Sequence, residues 1–169
     1  MAKKKDAAKG KDKKSPQGDG TRTIATNRRA RFEFDLLEKV EAGLVLTGTE
    51  VKSLREGKAV LEDAYAEIEK GEAWLLGCEI PEYAQGNWTN HRPKRPRKLL
   101  LHRREIERLE TKASDKGLTI VPLRLYFKGG VAKVEICIAR GRKLHDKRDA
   151  VKTQDAKREM NRVLRRRII

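Results

Sequence analysis

Val121, Leu123, Leu125 and Phe127 occupy every second position, and so do Ala132, Val134, Ile136 and Ile138, with Gly129-Gly130 between the two runs. A period of two marks a strand with one buried face. A Gly-Gly pair supplies the positive φ that a two-residue hairpin loop needs. The chain is therefore committed to an antiparallel hairpin in its second half. Pro122 has no N–H to give to a ladder, so its strand is an edge, or bulged, at that point.

The rest of the middle of the chain follows the same habit of short strands. Phe32-Glu33-Phe34-Asp35-Leu36 alternates apolar and charged residues, and Leu44-Val45-Leu46-Thr47 forms a second apolar run after Glu41-Ala42-Gly43. Thr49 is placed to cap a short helix over residues 50–56, with Glu50 at the positive end of the helix dipole, Val51 and Leu54 facing inward and Gly57 ending it. Tyr65–Glu69 and Ala73–Cys78 flank Lys70-Gly71-Glu72 as a second hairpin. Pro81–Arg97 is a long stretch with three prolines and no period, too long for an ordinary connection and so a functional or mobile segment. Leu99–Lys116 carries Ile106, Leu109 and Ala113 at helical spacing ahead of Gly117, which predicts a second helix. About six strands around one small core favour a closed or nearly closed barrel, because closure removes exposed edges. The fold class is mainly β, of the α+β kind.

Charge divides the chain differently from hydropathy. Of a net charge of +16, residues 1–20 hold +4 and residues 141–169 hold +7, so the middle is a nearly ordinary globular sequence between two polyelectrolyte ends. Three segments result: a disordered lysine-rich extension over residues 1–22, a core over 23–140 and a basic tail over 141–169. The extension has no apolar period with which to offset the entropy of ordering. Such a charge predicts a polyanion as partner or a strong bias toward a membrane surface. No run approaches the ~18 apolar residues of a membrane span, and MAKKKDAAKGKDKK lacks the apolar stretch of a secretory signal. Cys78 and Cys137 lie in apolar runs without CxxC spacing and read as buried, reduced thiols of a cytoplasmic protein. His91, His102 and His145 lack the partners that a metal or catalytic site needs, so neither metal nor cofactor is expected.

Four basic constellations are candidates for the contact. Asn27-Arg28-Arg29-Ala30-Arg31 puts three guanidinium groups beside an amide, suited to phosphate forks and one base or ribose contact; a solvated charge run at the entry of the domain is the plainer alternative. The proline-rich stretch interleaves Tyr83, Trp88 and His91 with Arg92, Lys94, Arg95 and Arg97, a mixture that suits unstacked bases and sugar-phosphate. An aromatic there can equally pin the loop to the core. Lys128 and Lys133 flank the Gly-Gly turn and either touch phosphate or are only solvated. In the tail, Asp155–Ile169 offers a narrow apolar stripe of Ala156, Met160, Val163 or Leu164, and Ile168. So short and basic a helix is marginal alone and suits folding against a phosphate-rich partner, although a tail can also serve solubility alone.

Taken in order, Asn27-Arg-Arg-Ala-Arg31, Glu41-Ala-Gly-Leu44, Gly48-Thr-Glu-Val-Lys-Ser-Leu-Arg55, Asn90-His91, Arg97-Lys-Leu-Leu-Leu101 and Gly141-Arg-Lys-Leu-His-Asp-Lys-Arg148 resemble the SsrA-binding protein (small protein B) family from about Thr23 onward. The resemblance implies an oligonucleotide-binding-type antiparallel β-barrel with two or three flanking helices. It implies binding to the tRNA-like domain of transfer-messenger RNA and trans-translation on stalled ribosomes. The tail would occupy the 16S rRNA decoding centre and the empty mRNA channel, becoming helical there, with the protein a monomer when bound. Asn27, Glu41 and Lys133 match positions associated with the RNA, and Arg28, Arg29, Arg31, His91, Arg97, Lys98 and Lys128 are counted with them. Leu99–Leu101 match an apolar segment that supports that surface. Gly141 matches a hinge and His145 a position that stacks near the decoding nucleotides, while Asp146, Lys147 and Arg148 match an Asp-Lys-Arg triplet. Phe34 stands where Tyr is frequent, which removes a hydroxyl, and Ala156 stands where some members have an aromatic.

The charge alone is equally compatible with a structural ribosomal or general RNA-binding protein. A nuclease built on His145-Asp146 or His91 is disfavoured, because sequence neighbours rarely point at one reacting atom and no second acid–base partner is evident.

Overall fold

The computed structural model describes residues 20–86, 88, 90–142 and 160. The lysine-rich extension up to residue 19 and the tail from residue 143, Met160 apart, lie outside the described residues, and with them His145, Asp146, Lys147 and Arg148. Among the described residues the order is β1 (Thr21–Thr26), α1 (Ala30–Glu33), β2 (Phe34–Leu44), α2 (Gly48–Arg55), β3 (Tyr65–Glu69), β4 (Glu72–Leu76), β5 (Arg97–Leu100), α3 (Arg103–Ala113), β6 (Leu118–Lys128) and β7 (Val131–Gly141).

All pairings are antiparallel. Six strands, in the order β6-β3-β4-β5-β2-β7, return to β6 through a β6–β7 ladder, so the sheet closes into the ring that the run of short strands predicted. β1 lies outside the ring, on the edge of β6 beyond its single pairing with β3 at Ala66↔Ile120. Thr21 and Arg22, expected in the extension, pair with Lys128 and Phe127 and so belong to the sheet.

The β6–β7 hairpin turns at Gly129 and Gly130 with φ of 58° and 81°, the left-handed pair the sequence called for. The ladder slips between Pro122 and Arg124, which is a bulge at the proline. The bulge changes what the alternation means. Leu125 and Phe127 face the inside of the ring, whereas Val121 and Leu123 join a second, outer cluster with Ala30, Cys137 and Ala139, backed by Phe34 and Leu36. The main core fills the ring with Leu75, Leu99, Val134, Ile136 and Ile138, to which the helices add Leu54 and Leu109. Both cysteines are buried and free.

Four local expectations are corrected. Phe32 is not in a strand: the N–H groups of Phe32 and Glu33 both bond to the Arg29 carbonyl, and β2 begins at Phe34. β2 does not break at Glu41–Gly43, because it is paired with β7 as far as Gly43↔Lys133 and with β5 at Gly43↔Leu100. Arg97–Leu100 is a strand, so Arg97 is not loop and Leu99-Leu100 do not open a helix; the ring needs a member between β4 and β2, and α3 starts only at Arg103. The cap of α2 also moves, from Thr49 to Thr47, since the Glu50 carboxylate accepts the Thr47 N–H at 2.7 Å.

Candidate nucleic-acid interface

Asn27 works as a spool. Its side-chain amide donates to the Leu61 carbonyl at 2.9 Å, its carbonyl oxygen accepts the Ala30 N–H at 2.9 Å, and its own N–H bonds the Leu123 carbonyl. With 2% of its surface exposed it offers no polar atom to a ligand. What it does is tie the end of β1 to β6 and start α1, with Ala30 inserted in the outer cluster. Arg28, Arg29 and Arg31 are thereby left on the surface. Arg29 is held by Glu33 at 2.8 Å, and that hydrogen bond raises its pKa above the ordinary value.

A second assembly lies on the outer face where β2, β7 and β6 run side by side. Glu41 receives the Tyr126 hydroxyl and the Lys133 ammonium, the latter at 2.5 Å, with Lys128 at 3.8 Å. The hydrogen bonds from Lys133 and then Tyr126 hold the Glu41 carboxyl below its usual range. Burial, with the Glu41 hydrogen bond, pushes the Tyr126 phenol up to about 12, so at neutral pH it remains a donor. The Arg124 guanidinium lies 4.7 Å from the centre of the Tyr126 ring and donates to Glu135 at 2.6 Å, while Lys39 approaches Glu135 from β2 at 3.2 Å. Two carboxylates thus space four cations and a phenol across three strands. Such a lattice fixes cations at set separations, which is what positioning contacts to a sugar-phosphate chain require.

The sequence singles out Glu41, Lys128 and Lys133 separately; the fold brings them to one carboxylate and adds Tyr126, Arg124 and Lys39, which sequence reasoning misses. Arg124 carried a signal, as the one charge inside an otherwise apolar strand, and Tyr126 was concealed in the same run.

For the proline-rich stretch the structure reassigns two residues. His91 is buried, its Nδ1 3.0 Å from the Thr49 hydroxyl and its Nε2 3.0 Å from the Ile80 carbonyl oxygen. Arg97 is 0% exposed, bonded to Glu50 at 2.9 Å and to the carbonyls of Cys78, Arg95 and Pro93. Neither can meet an RNA directly in this conformation; both bind the stretch to α2 and the ring. Lys98 is half-exposed and paired with Glu72. Trp88 does not pin the loop, since it is 94% exposed.

At the start of the tail, Gly141 still pairs with Phe34, and Arg142 is attached as well. Its N–H bonds the Glu33 carbonyl at 2.9 Å and its guanidinium reaches Asp35 at 2.6 Å. Among the described residues no grouping of His, Cys, Asp and Glu could hold a metal ion.

A closed antiparallel ring with a cationic lattice on its outer face and an arginine turn beside it defines a protein of the nucleic-acid-binding class. The family model described as SmpB protein matches residues 24–166. The chain belongs to the SmpB family. It is 58% identical over 155 residues to the SsrA-binding protein of Thermobifida fusca (strain YX), covering 92% of this chain and 97% of that one. It is also 58% identical over 151 residues to the SsrA-binding protein of Parafrankia sp. (strain EAN1pec), covering 89% and 96%. Among solved structures it resembles a chain described under "tmRNA-SmpB: a journey to the center of the bacterial ribosome", with 47% identity and a TM-score of 0.63 over 75% of this chain and 93% of that one.

Proposed function

We propose that this chain binds the tRNA-like domain of transfer-messenger RNA and delivers it to stalled ribosomes for trans-translation, as a cytoplasmic RNA-binding protein without enzymatic activity of its own. The observation that carries the reading is the cationic lattice of Glu41, Lys128, Lys133, Tyr126 and Arg124 on a closed ring, in a chain alike along nearly its whole length to SsrA-binding proteins. The exposed Arg28, Arg29 and Arg31 add phosphate forks at the neighbouring end of β1. Asn27, His91 and Arg97 serve the same surface from within, by shaping the segments that carry it. No helix among the described residues is long and apolar enough to cross a membrane.

The tail has the second task. Gly141, His145, Asp146, Lys147 and Arg148 are proposed for the decoding centre, with the residues after them in the empty mRNA channel. The test is a chain ended after Arg142, which keeps every described contact of the ring. It should bind transfer-messenger RNA with unchanged affinity and fail to support tagging of stalled peptides. If it loses the RNA, the division of labour between ring and tail is wrong.

A further inference from the structure

We infer that Trp88 is a stacking platform for an unpaired nucleobase, a binding residue distinct from the lattice on β2, β6 and β7; the inference rests on the RNA-binding reading above. Trp88 is 94% exposed, far beyond any other large apolar side chain among the described residues, where Met160 follows at 61%. An indole left this bare gives up the burial that aromatic side chains otherwise supply, and it is a surface suited to a flat partner.

The described residues that carry the loop are tied together. The Asn90 side chain brackets Tyr83, accepting its N–H at 3.1 Å and donating to its carbonyl at 2.9 Å, and the Gly86 N–H bonds the same carbonyl at 2.8 Å. A Cβ on Gly86 would lie 2.4 Å from the Asn90 Oδ1, so a side chain there would displace the Asn90 amide from Tyr83. Below the turn, Ser53 donates to the Pro81 carbonyl at 2.7 Å and His91 is fixed between Thr49 and Ile80. The support of the loop is thus ordered before any ligand arrives, which lowers the entropic cost of binding.

The surroundings favour a nucleic acid. Lys52 lies 5.5 Å from the centre of the Tyr83 ring, and Arg92 is exposed further along the same loop with Lys94, which is paired with Glu79 at 3.5 Å; the loop's own acid between residues 81 and 96 is Glu82. A bare flat ring on a loop that also carries cations matches a base with its phosphates. The base can come from transfer-messenger RNA or from ribosomal RNA, and the chemistry is shared.

The chain has two tryptophans, and Trp74→Phe leaves Trp88 as the sole indole. Its emission should be quenched on saturation by transfer-messenger RNA, or by 30S subunits if ribosomal RNA supplies the base. W88A should weaken binding to that same RNA by roughly 5- to 150-fold, W88F should restore most of it, and the salt slope should not move because no charge is lost. Unchanged emission with both probes, while the W74F protein still binds transfer-messenger RNA, overturns the inference. So does a change elicited only by the protein fraction of 30S subunits. Loss of all RNA binding by the unsubstituted protein would instead overturn the function proposed above. Should W74F fail to fold, 5-fluorotryptophan in the unsubstituted chain, assigned with W88F, reads the same contact as a shift of the Trp88 fluorine resonance.

Discussion

Glu50 and Arg97 meet at 2.9 Å with neither side chain exposed to solvent, one from the first turn of α2 and the other from the first residue of β5. Arg95 grips the same carboxylate with a second fork at 2.8 and 2.5 Å. Between them they anchor the loop that displays Trp88. Glu50→Gln should therefore destabilise the protein by about 3–5 kcal/mol, because it leaves Arg97 buried without its counter-charge. Equilibrium denaturation measures it, and a loss under about 1 kcal/mol would mean that the pair is not the anchor.

The same pair sets an acid limit. Burial pushes the Glu50 carboxyl up, but the hydrogen bonds from Arg95 and the Thr47 N–H, with the charges of Arg97 and Arg95, outweigh it and leave its pKa below the ordinary value. Its contribution is fully present above the unfolded-state pKa of about 4.3 and is lost as pH falls through the lower folded value. The stability difference between the unsubstituted protein and E50Q should accordingly shrink only under acid conditions. A difference that shrinks toward alkaline pH would contradict the assignment.

Removing a negative charge should weaken specific RNA binding if Glu41 organises the lattice. Glu41→Gln makes the chain more cationic, yet it releases Lys133, Lys128 and the Tyr126 hydroxyl from their common acceptor. We expect roughly a tenfold loss for transfer-messenger RNA, the worth of one charge-assisted hydrogen bond, with no loss for an unrelated RNA of equal length. Filter binding at one salt concentration decides it; equal or tighter specific binding would make Glu41 a mere counter-ion.

Arg28, Arg29 and Arg31 changed together to Ala should leave the fold intact and lower the slope of log affinity against log salt by about 2–3, one released counter-ion for each phosphate given up. An unchanged slope would place the RNA elsewhere.

Asn27→Ala should reach the same surface by another route. Losing the bonds to Leu61 and Ala30 costs about 1–3 kcal/mol of stability, and RNA affinity should fall although all three arginines remain. If stability falls while affinity holds, the spool does not orient the arginine turn.

The elements that proved legible were those with local causes. The β6–β7 hairpin, its Gly-Gly turn, the Pro122 bulge and the apolar face of α3 each follow from residues within a few positions of one another. Elements with distant causes were misread: β5 is four residues long and exists because β4 and β2 flank it, and Glu41-Ala42-Gly43 stays extended because β7 and β5 pair with it. Among candidate site residues, charge marks Lys128, Lys133 and the arginine turn. Composition does not separate exposed polar side chains from buried ones, so from sequence Arg97 and His91 read as surface groups that the fold in fact buries.

What the amino-acid order determined alone was the alternation that makes strands, the turns that reverse them and the concentration of charge at both ends of the chain. Only the folded ring decided which faces met water. A bulge at Pro122 sent Val121 and Leu123 outward to seat Ala30, and ring closure buried Arg97 against Glu50 while leaving Trp88 in solvent. The physical reason is that a side chain's polarity is written locally, whereas its exposure depends on which remote strand lies beside it.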